Sequence, residues 1–121
     1  MVIDEINKHN EYVIFGAQVV AYGAKTAIEH LAGKKPLCYA VGKSEGNPDE
    51  IEGIPVRLID EIPTDMFVVV GVTELVQKEV IPCLADKGYR NIYPLTQHEE
   101  HLLMSRYYNS LGMFPLAKEE H

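Results

Sequence analysis

Short, mostly apolar runs alternate along the chain with longer segments in which apolar residues recur every three or four positions. The strands that these runs predict occupy residues 12–15, 37–41, 54–58, 66–72 and 91–93. A continuous apolar run of this length is typical of a strand buried on both faces of a parallel sheet. Because consecutive parallel strands need a crossover connection, the alternation predicts an α/β domain with a mostly parallel sheet.

Three helices are predicted between and after these strands, over residues 19–31, 74–87 and 97–111. Thr73 is the expected N-cap of the second helix, and Pro82 is expected to kink or interrupt it. The first helix has an apolar face with three- and four-residue spacing, formed by Val20, Ala24, Ala27, Ile28 and Leu31.

The predicted architecture is one Rossmann-like domain, residues 1–121, built as a three-layer sandwich. Its core spans residues 12–95 and contains five strands in the order 3-2-1-4-5. Strand 3 is expected at an edge of the sheet, because Pro55 cannot donate a ladder hydrogen bond. Residues 1–11 are expected to form a polar lead-in, and residues 42–53 a loop rich in turn-forming residues.

The last predicted helix, residues 97–111, begins with a capping box in which Thr96 and Glu99 exchange hydrogen bonds with each other's backbone. Its large side chains recur every four positions, at Leu103, Tyr107 and Leu111. We expect this face to pack on its own chain, and the alternative is a homodimer or a contact with a neighbouring domain. Residues 113–121 follow as an apolar and then charged tail.

Composition and charge narrow the function classes. The formal net charge is −7, and an acidic chain is a poor ligand for nucleic acids or anionic membranes, which attract a basic face. The sequence has no apolar run of membrane-spanning length and no cationic segment at its start, so we expect a soluble, cytoplasmic protein. The two cysteines, Cys38 and Cys83, are too few and too far apart for a disulfide framework or a metal pair, and we expect reduced thiols.

The candidate ligand site lies where the strand order reverses, in the crevice between strands 1 and 4. A helix that begins directly after strand 1 presents unpaired N–H groups and the positive end of its dipole, which suits phosphate. The predicted binding residues are Gly16, Ala17, Gln18, Val19, Lys43, Ser44, Val72 and Thr73.

A standard dinucleotide site requires three small residues that fall here on Gly16, Gln18 and Ala21. The side chain of Gln18 would intrude where the second glycine admits the pyrophosphate. The acidic residue that contacts ribose at the end of strand 2 is also missing, because Lys43 and Ser44 stand there. NAD(P) is therefore the less favoured ligand, although Lys43 and Ser44 could meet a phosphate.

Two other groups of residues are weaker candidates. His98 and His101 share a helical face, but the motif of a zinc protease is absent and no third ligand is evident, so we expect a solvated polar face and no metal. Cys83 lies in an apolar run and is expected in the core, because reactive thiols need an electropositive setting.

Two segments carry a resemblance to a known family. Residues 12–24, YVIFGAQVVAYGA, and residues 45–56, EGNPDEIEGIPV, resemble the N-terminal Rossmann-like module that precedes the transferase domain of bacterial capsular and lipopolysaccharide glycosyltransferases. The segment from Thr96 to Met104 is also similar to that module. More distantly, the layout is similar to the nucleotide-sugar-binding domain of sugar acyltransferases, although Gln18 replaces a glycine of theirs.

The resemblance implies a nucleotide or nucleotide-sugar ligand, such as a UDP-sugar, or a regulatory or assembly role beside a transferase. The metal-binding acidic motif of the transferase domain is absent, so the chain is expected to be non-catalytic alone. Two alternatives stay open. One is an NAD(P)-dependent oxidoreductase-type domain, and the other is a ligand-free interaction domain that dimerises through residues 97–111.

Overall fold

The computed structural model describes residues 1–112, and the predicted tail, residues 113–121, lies outside that part. The fold is α/β with a mostly parallel sheet, as predicted. The strands are β1 (Tyr12–Phe15), β2 (Tyr39–Val41), β3 (Glu50–Ile51), β4 (Ile54–Leu58), β5 (Phe67–Val70) and β6 (Ile92–Pro94). The helices are α1 (Val2–His9), α2 (Val19–Ala32), α3 (Glu74–Asp86) and α4 (Gln97–Ser110), with a single 3-10 turn at Ile59–Glu61.

The predicted count of five strands is wrong, because the sheet within residues 1–112 has six strands in the order β3-β4-β2-β1-β5-β6. The full order therefore differs from the prediction by the added strand β3, and the five predicted strands keep their relative order within it. The added strand β3 lies in the predicted loop, and β3 pairs with β4 in antiparallel orientation. Glu52 and Gly53 both have positive φ, 48° and 85°, which is the geometry of a two-residue hairpin turn. The edge position predicted for residues 54–58 is also wrong at the start of the strand, because β3 pairs with Ile54 and Pro55 there.

The predicted polar lead-in is instead the helix α1. Its apolar residues Val2 and Ile6 stand four positions apart and are fully buried against the main core. An eight-residue helix shows only two turns of periodicity, and most of its residues are polar. Its apolar stripe could therefore not be recognised in the sequence. The structural core therefore extends beyond the predicted span of residues 12–95. The ring of His9, at the helix end, stacks on Phe67 with 4.5 Å between ring centroids.

The two faces of the sheet carry separate cores, because successive residues of a strand point to opposite sides. On one face, Ile14 packs with residues of α1, α2 and α4. On the other face, Val13 and Val68 pack with Leu84 of α3 and with Ile59 of the 3-10 turn. The result is the predicted three-layer arrangement, with three helices on one side and α3 on the other.

The helix α4 packs on α2 of its own chain, as favoured above. Leu103 is buried, and Tyr107 packs against the same core. Thr96 caps the helix by accepting a hydrogen bond from the Glu99 N–H at 3.1 Å. The reciprocal half of the predicted capping box is wrong, because the Glu99 carboxylate accepts hydrogen bonds from the Val2 N–H and the Tyr93 hydroxyl, each at 2.6 Å.

Two further features of the helices bear on the predictions. α3 runs without interruption from Glu74 to Asp86, so the break considered at Pro82 does not occur. Among residues 1–112, no helix combines the length and the apolar composition that crossing a membrane would need.

Candidate functional site

A cleft of about 750 Å³ opens at the carboxyl ends of β1 and β5, where the strand order reverses. This is the position at which open parallel sheets hold their ligands. The structure brings seven of the eight predicted site residues together in its walls: Gly16, Ala17, Gln18, Val19, Lys43, Val72 and Thr73. Its volume falls within the range of roughly 300–1,000 Å³ that is usual for small-molecule sites.

Two glycines bring the backbones of β1 and β5 together at the floor of the cleft. Gly16 has a φ of 120°, and a Cβ atom there would lie 2.7 Å from the carbonyl oxygen of Gly71. A Cβ atom on Gly71 would in turn lie 2.9 Å from Cγ2 of Ile14 and 3.1 Å from Cα of Ala21. Both positions therefore require glycine. Gly16 was predicted from the sequence and Gly71 was not, although each directly follows an apolar strand.

The N-terminus of α2 opens at this floor. Gln18 is the N-cap residue, and its exposed side chain makes no capping hydrogen bond. The first turn contains no acidic residue, so the partial positive charge of the helix end is not offset there. Val19, at the first helical position, is 86% exposed at the cleft wall.

The N-terminus of α3 reaches the same cleft from the β5 side. Thr73 is its N-cap residue, as predicted, but the Thr73 side chain makes no capping hydrogen bond. The carboxylate of Glu74 accepts a hydrogen bond from the Gln97 N–H at 2.8 Å. Glu74 therefore joins the start of α3 to the start of α4, and its negative charge offsets part of the positive charge at the N-terminus of α3. The N-terminus of α2 has no acidic residue in its first turn, so its positive charge is the less compensated of the two.

Lys43 and Ser44 follow β2 but line different surfaces. Lys43 lies in the cleft wall, and its carbonyl oxygen accepts a hydrogen bond from the Asn47 side chain at 2.9 Å. Ser44 lies outside the cleft and lines a separate hollow of about 230 Å³ with Asp49 and Arg57. The two residues therefore do not converge on one group, as their adjacency in the sequence suggested.

Gln77 is a buried polar residue of α3 that the sequence analysis missed. Its Nε2 atom donates to the carbonyl oxygen of Val72 at 2.9 Å and to that of Leu95 at 2.7 Å. The side chain thereby holds the turn after β5 against the turn after β6. Val72 is part of the cleft wall, so the hydrogen bond from Gln77 fixes the position of that wall. The sequence signal for this role was a single glutamine at a helical position whose neighbours on the same face are apolar.

The remaining cleft wall is largely apolar and was also missed. Most of it comes from the ends of β1 and β2 and from one side of α3. These residues are Phe15, Val41, Gly42, Val76, Glu79 and Val80, and Val20 of α2 and Asn47 complete the wall. Whether a side chain in the first two turns of α3 faces the cleft depends on the angle at which the helix packs on the sheet. The sequence does not record that angle, so these residues could not be predicted.

The structure places the other candidate residues as follows. Within residues 1–112, no group of three or more His, Cys, Asp or Glu residues is arranged to hold a metal, so His98 and His101 have no third ligand there. The prediction that Cys83 is in the core is wrong, because the α3 side that carries it faces a cavity and Cys83 is exposed. Cys38 is buried, and burial raises the pKa of its thiol.

Comparison with protein-family models, with curated proteins and with solved structures gives no match to this chain.

Proposed function

We propose that the cleft binds a nucleotide or nucleotide-sugar, with its phosphates at the N-terminus of α2. The observation that carries this proposal is the cleft of about 750 Å³ at the point of strand-order reversal, whose floor is the close approach of Gly16 and Gly71. The missing Cβ atoms let the turn after β1 pack directly against β5 and α2, which brings the N-terminus of α2 to the floor of the cleft.

The chemistry of the walls supports a ligand with one anionic and one apolar part. The first-turn N–H groups of α2 have no side-chain acceptor at the cap and attract an anion. Lys43 contributes a positive charge to the same cleft. The opposite wall, with Phe15 and Val80, offers apolar surface to a ring. A nucleoside phosphate combines these two properties.

Two positions favour a nucleotide over a dinucleotide such as NAD(P). The Gln18 side chain stands at the α2 cap, where a dinucleotide site has the glycine that admits the pyrophosphate. Lys43 follows β2, where the ribose-binding carboxylate of an NAD site belongs. A dimer through α4 gains no support, because Leu103 is buried within its own chain.

For the biological role, we propose a non-catalytic binding module of a bacterial polysaccharide or lipopolysaccharide glycosyltransferase. The support is the resemblance of residues 12–24 and 45–56, whose residues form the floor of the cleft and the β3–β4 hairpin. The transfer chemistry then belongs to a separate catalytic domain, and this chain contributes ligand binding or assembly.

A thermal-shift screen against UDP, UDP-sugars, CDP-sugars, NAD(H), NADP(H) and coenzyme A tests the proposal. Binding to the native state raises stability, by about 2.7 kcal/mol at 100 times Kd. We expect uridine or cytidine diphosphate compounds to raise Tm and the dinucleotides to leave it unchanged. No shift from any of these compounds would contradict the proposal.

The matched variant is Gln18→Asp. Aspartate is a better N-cap than glutamine, so α2 should be retained or strengthened. Its carboxylate repels a phosphate at the same N–H groups, so the ligand-induced shift should disappear. A shift that survives unchanged in Gln18→Asp would place the ligand elsewhere. Gly16→Val is unsuitable here, because the overlap with Gly71 would destabilise the protein strongly and confound the ligand-induced change in Tm.

A further inference from the structure

A second cavity of about 320 Å³ adjoins the cleft on the α3 side of the sheet. The two cavities share four lining residues: Phe15, Gly42, Glu79 and Val80. We call the second cavity the side pocket. The shared residues place the side pocket directly beside the cleft, within reach of a ligand that is bound there.

The interior of the side pocket is apolar. Ile59 and Leu84 form its inner wall, and both are buried in the core of the α3 face. Phe15 and Val80 complete the apolar surface at the boundary with the cleft. A flat, weakly hydrated ring gains free energy on entering such a space, because apolar surface leaves water on both sides.

The side pocket has two charged residues, and only one of them has an ion-pair partner within residues 1–112. The Nζ atom of Lys87 lies 2.7 Å from Oδ1 of Asp60, so its charge is paired. Glu79 has no ion-pair partner within residues 1–112. The pocket therefore presents a carboxylate, which accepts hydrogen bonds from O–H and N–H groups and repels a second anion.

We propose that the side pocket takes the uncharged ring of the ligand, a nucleobase, while the phosphates stay at the N-terminus of α2. Glu79, at the boundary, accepts hydrogen bonds from the ribose hydroxyls or from ring N–H groups. The acid that the end of β2 lacks is thereby supplied from the opposite wall by α3. This inference rests on the proposed function and deepens it, because it assigns the base of the nucleotide to a pocket of its own.

Cys83 provides a direct readout of occupancy. It lines the side pocket, lies outside the cleft wall and is exposed. The only other cysteine of the sequence, Cys38, is 2% exposed, so alkylation of the folded protein reports on Cys83. The experiment measures the alkylation rate of the full chain by iodoacetamide, alone and with UDP, CDP, ADP, GDP or inorganic pyrophosphate.

We expect at least one nucleoside diphosphate to slow alkylation of Cys83, roughly tenfold at ten times Kd by mass action. Pyrophosphate should bind the α2 end and leave the rate unchanged. A nucleotide that raises Tm while Cys83 reacts at the free rate would overturn the side-pocket inference and leave the proposed function standing. If no nucleotide raises Tm or slows alkylation, both fail.

The variant Gly42→Leu tests the same point by filling the boundary. A Cβ atom on Gly42 would meet nothing within 4 Å, and its φ is outside the left-handed region, so the fold should tolerate a side chain. We expect nucleotide affinity to fall at least tenfold. Ala85→Leu, which introduces the same side chain on the exposed surface of α3 outside both cavities, is the matched control and should bind normally. Unchanged nucleotide affinity in Gly42→Leu would overturn the inference.

Discussion

The two faces of the sheet differ in how completely helices cover them. Three helices cover the face of Ile14, and the hollow between α2 and α4 there is about 160 Å³. The other face has α3 and one 3-10 turn, and a pocket of about 320 Å³ lies beside them. The larger cleft opens at the carboxyl edge, between the starts of α2 and α3. More of the buried core thus lies on the closed face, and space for a ligand is left where coverage is incomplete.

The largest expected loss of stability comes from a substitution at the floor of the cleft, where Gly16 and Gly71 meet. Gly16→Val places a branched side chain at positive φ and within 2.7 Å of a carbonyl oxygen. Left-handed strain and overpacking each cost about 1–3 kcal/mol, and an overlap with backbone this close takes both costs towards the upper end, so the free energy of unfolding should fall by roughly 5 kcal/mol. Urea unfolding followed by circular dichroism measures the loss. Gly42→Ala, at an unconstrained glycine, is the control, and an equally stable Gly16→Val would contradict the described floor.

A pair of core truncations compares the faces directly. Ile28 and Leu84 are both buried, the first on the closed face and the second beside the side pocket. Ile28→Ala should leave an enclosed void and cost about 4 kcal/mol, whereas Leu84→Ala enlarges an existing opening and should cost about 2–3 kcal/mol. Urea midpoints and slopes for both variants give the comparison. A larger loss for Leu84→Ala would show that coverage does not set the cost.

Gln77→Met tests the contact that holds the turn after β5, which is part of the cleft wall, against the turn after β6. The change preserves the size of the side chain and removes both donated hydrogen bonds, which leaves two carbonyl oxygens short of a partner. We expect a loss of about 1–3 kcal/mol in unfolding free energy and weaker nucleotide binding. Chemical unfolding and the thermal-shift screen report the two effects. Lys78→Met, on the exposed side of the same helix, should show neither.

The smallest effect concerns Tyr39, whose hydroxyl is buried and has no hydrogen-bond partner within residues 1–112. Tyr39→Phe should therefore stabilise the protein, by about 1 kcal/mol. Calorimetry at neutral pH measures the change. A destabilised variant would show that the hydroxyl has a partner in solution, such as a bound water.

The same residue gives a pH dependence. Burial raises the pKa of Tyr39 to about 12 from its usual 10.0, with smaller contributions from Tyr22 and nearby glutamates. A raised pKa in the folded state means that unfolding becomes easier as the phenol ionises. The contribution is complete below pH 10 and is lost as the pH rises towards 12. Tyr39→Phe should lose less stability between pH 9 and pH 11 than the natural sequence, as urea titrations at each pH would show.

The sequence was informative where a residue's role is local. Gly16 ends an apolar strand and precedes a helix, so its turn and the crevice position followed from spacing and from the rules of parallel sheets. The strand β3 was not foreseen, because two residues are too few to show a period. Gly71 and Gln77 act through contacts with distant segments, with Ile14 and Leu95 respectively. Their roles depend on packing that no local pattern records.

The short strand β3 also has a consequence for assembly. An exposed sheet edge invites another chain to add a strand, but β3 offers only Glu50 and Ile51 at one margin of the sheet. At the other margin, β6 has three residues and ends on Pro94, which has no N–H to donate. Both margins therefore resist continuation of the sheet between molecules. Oligomers of this chain, where they form, should join through helical surfaces, and the protein should resist fibril growth by strand addition.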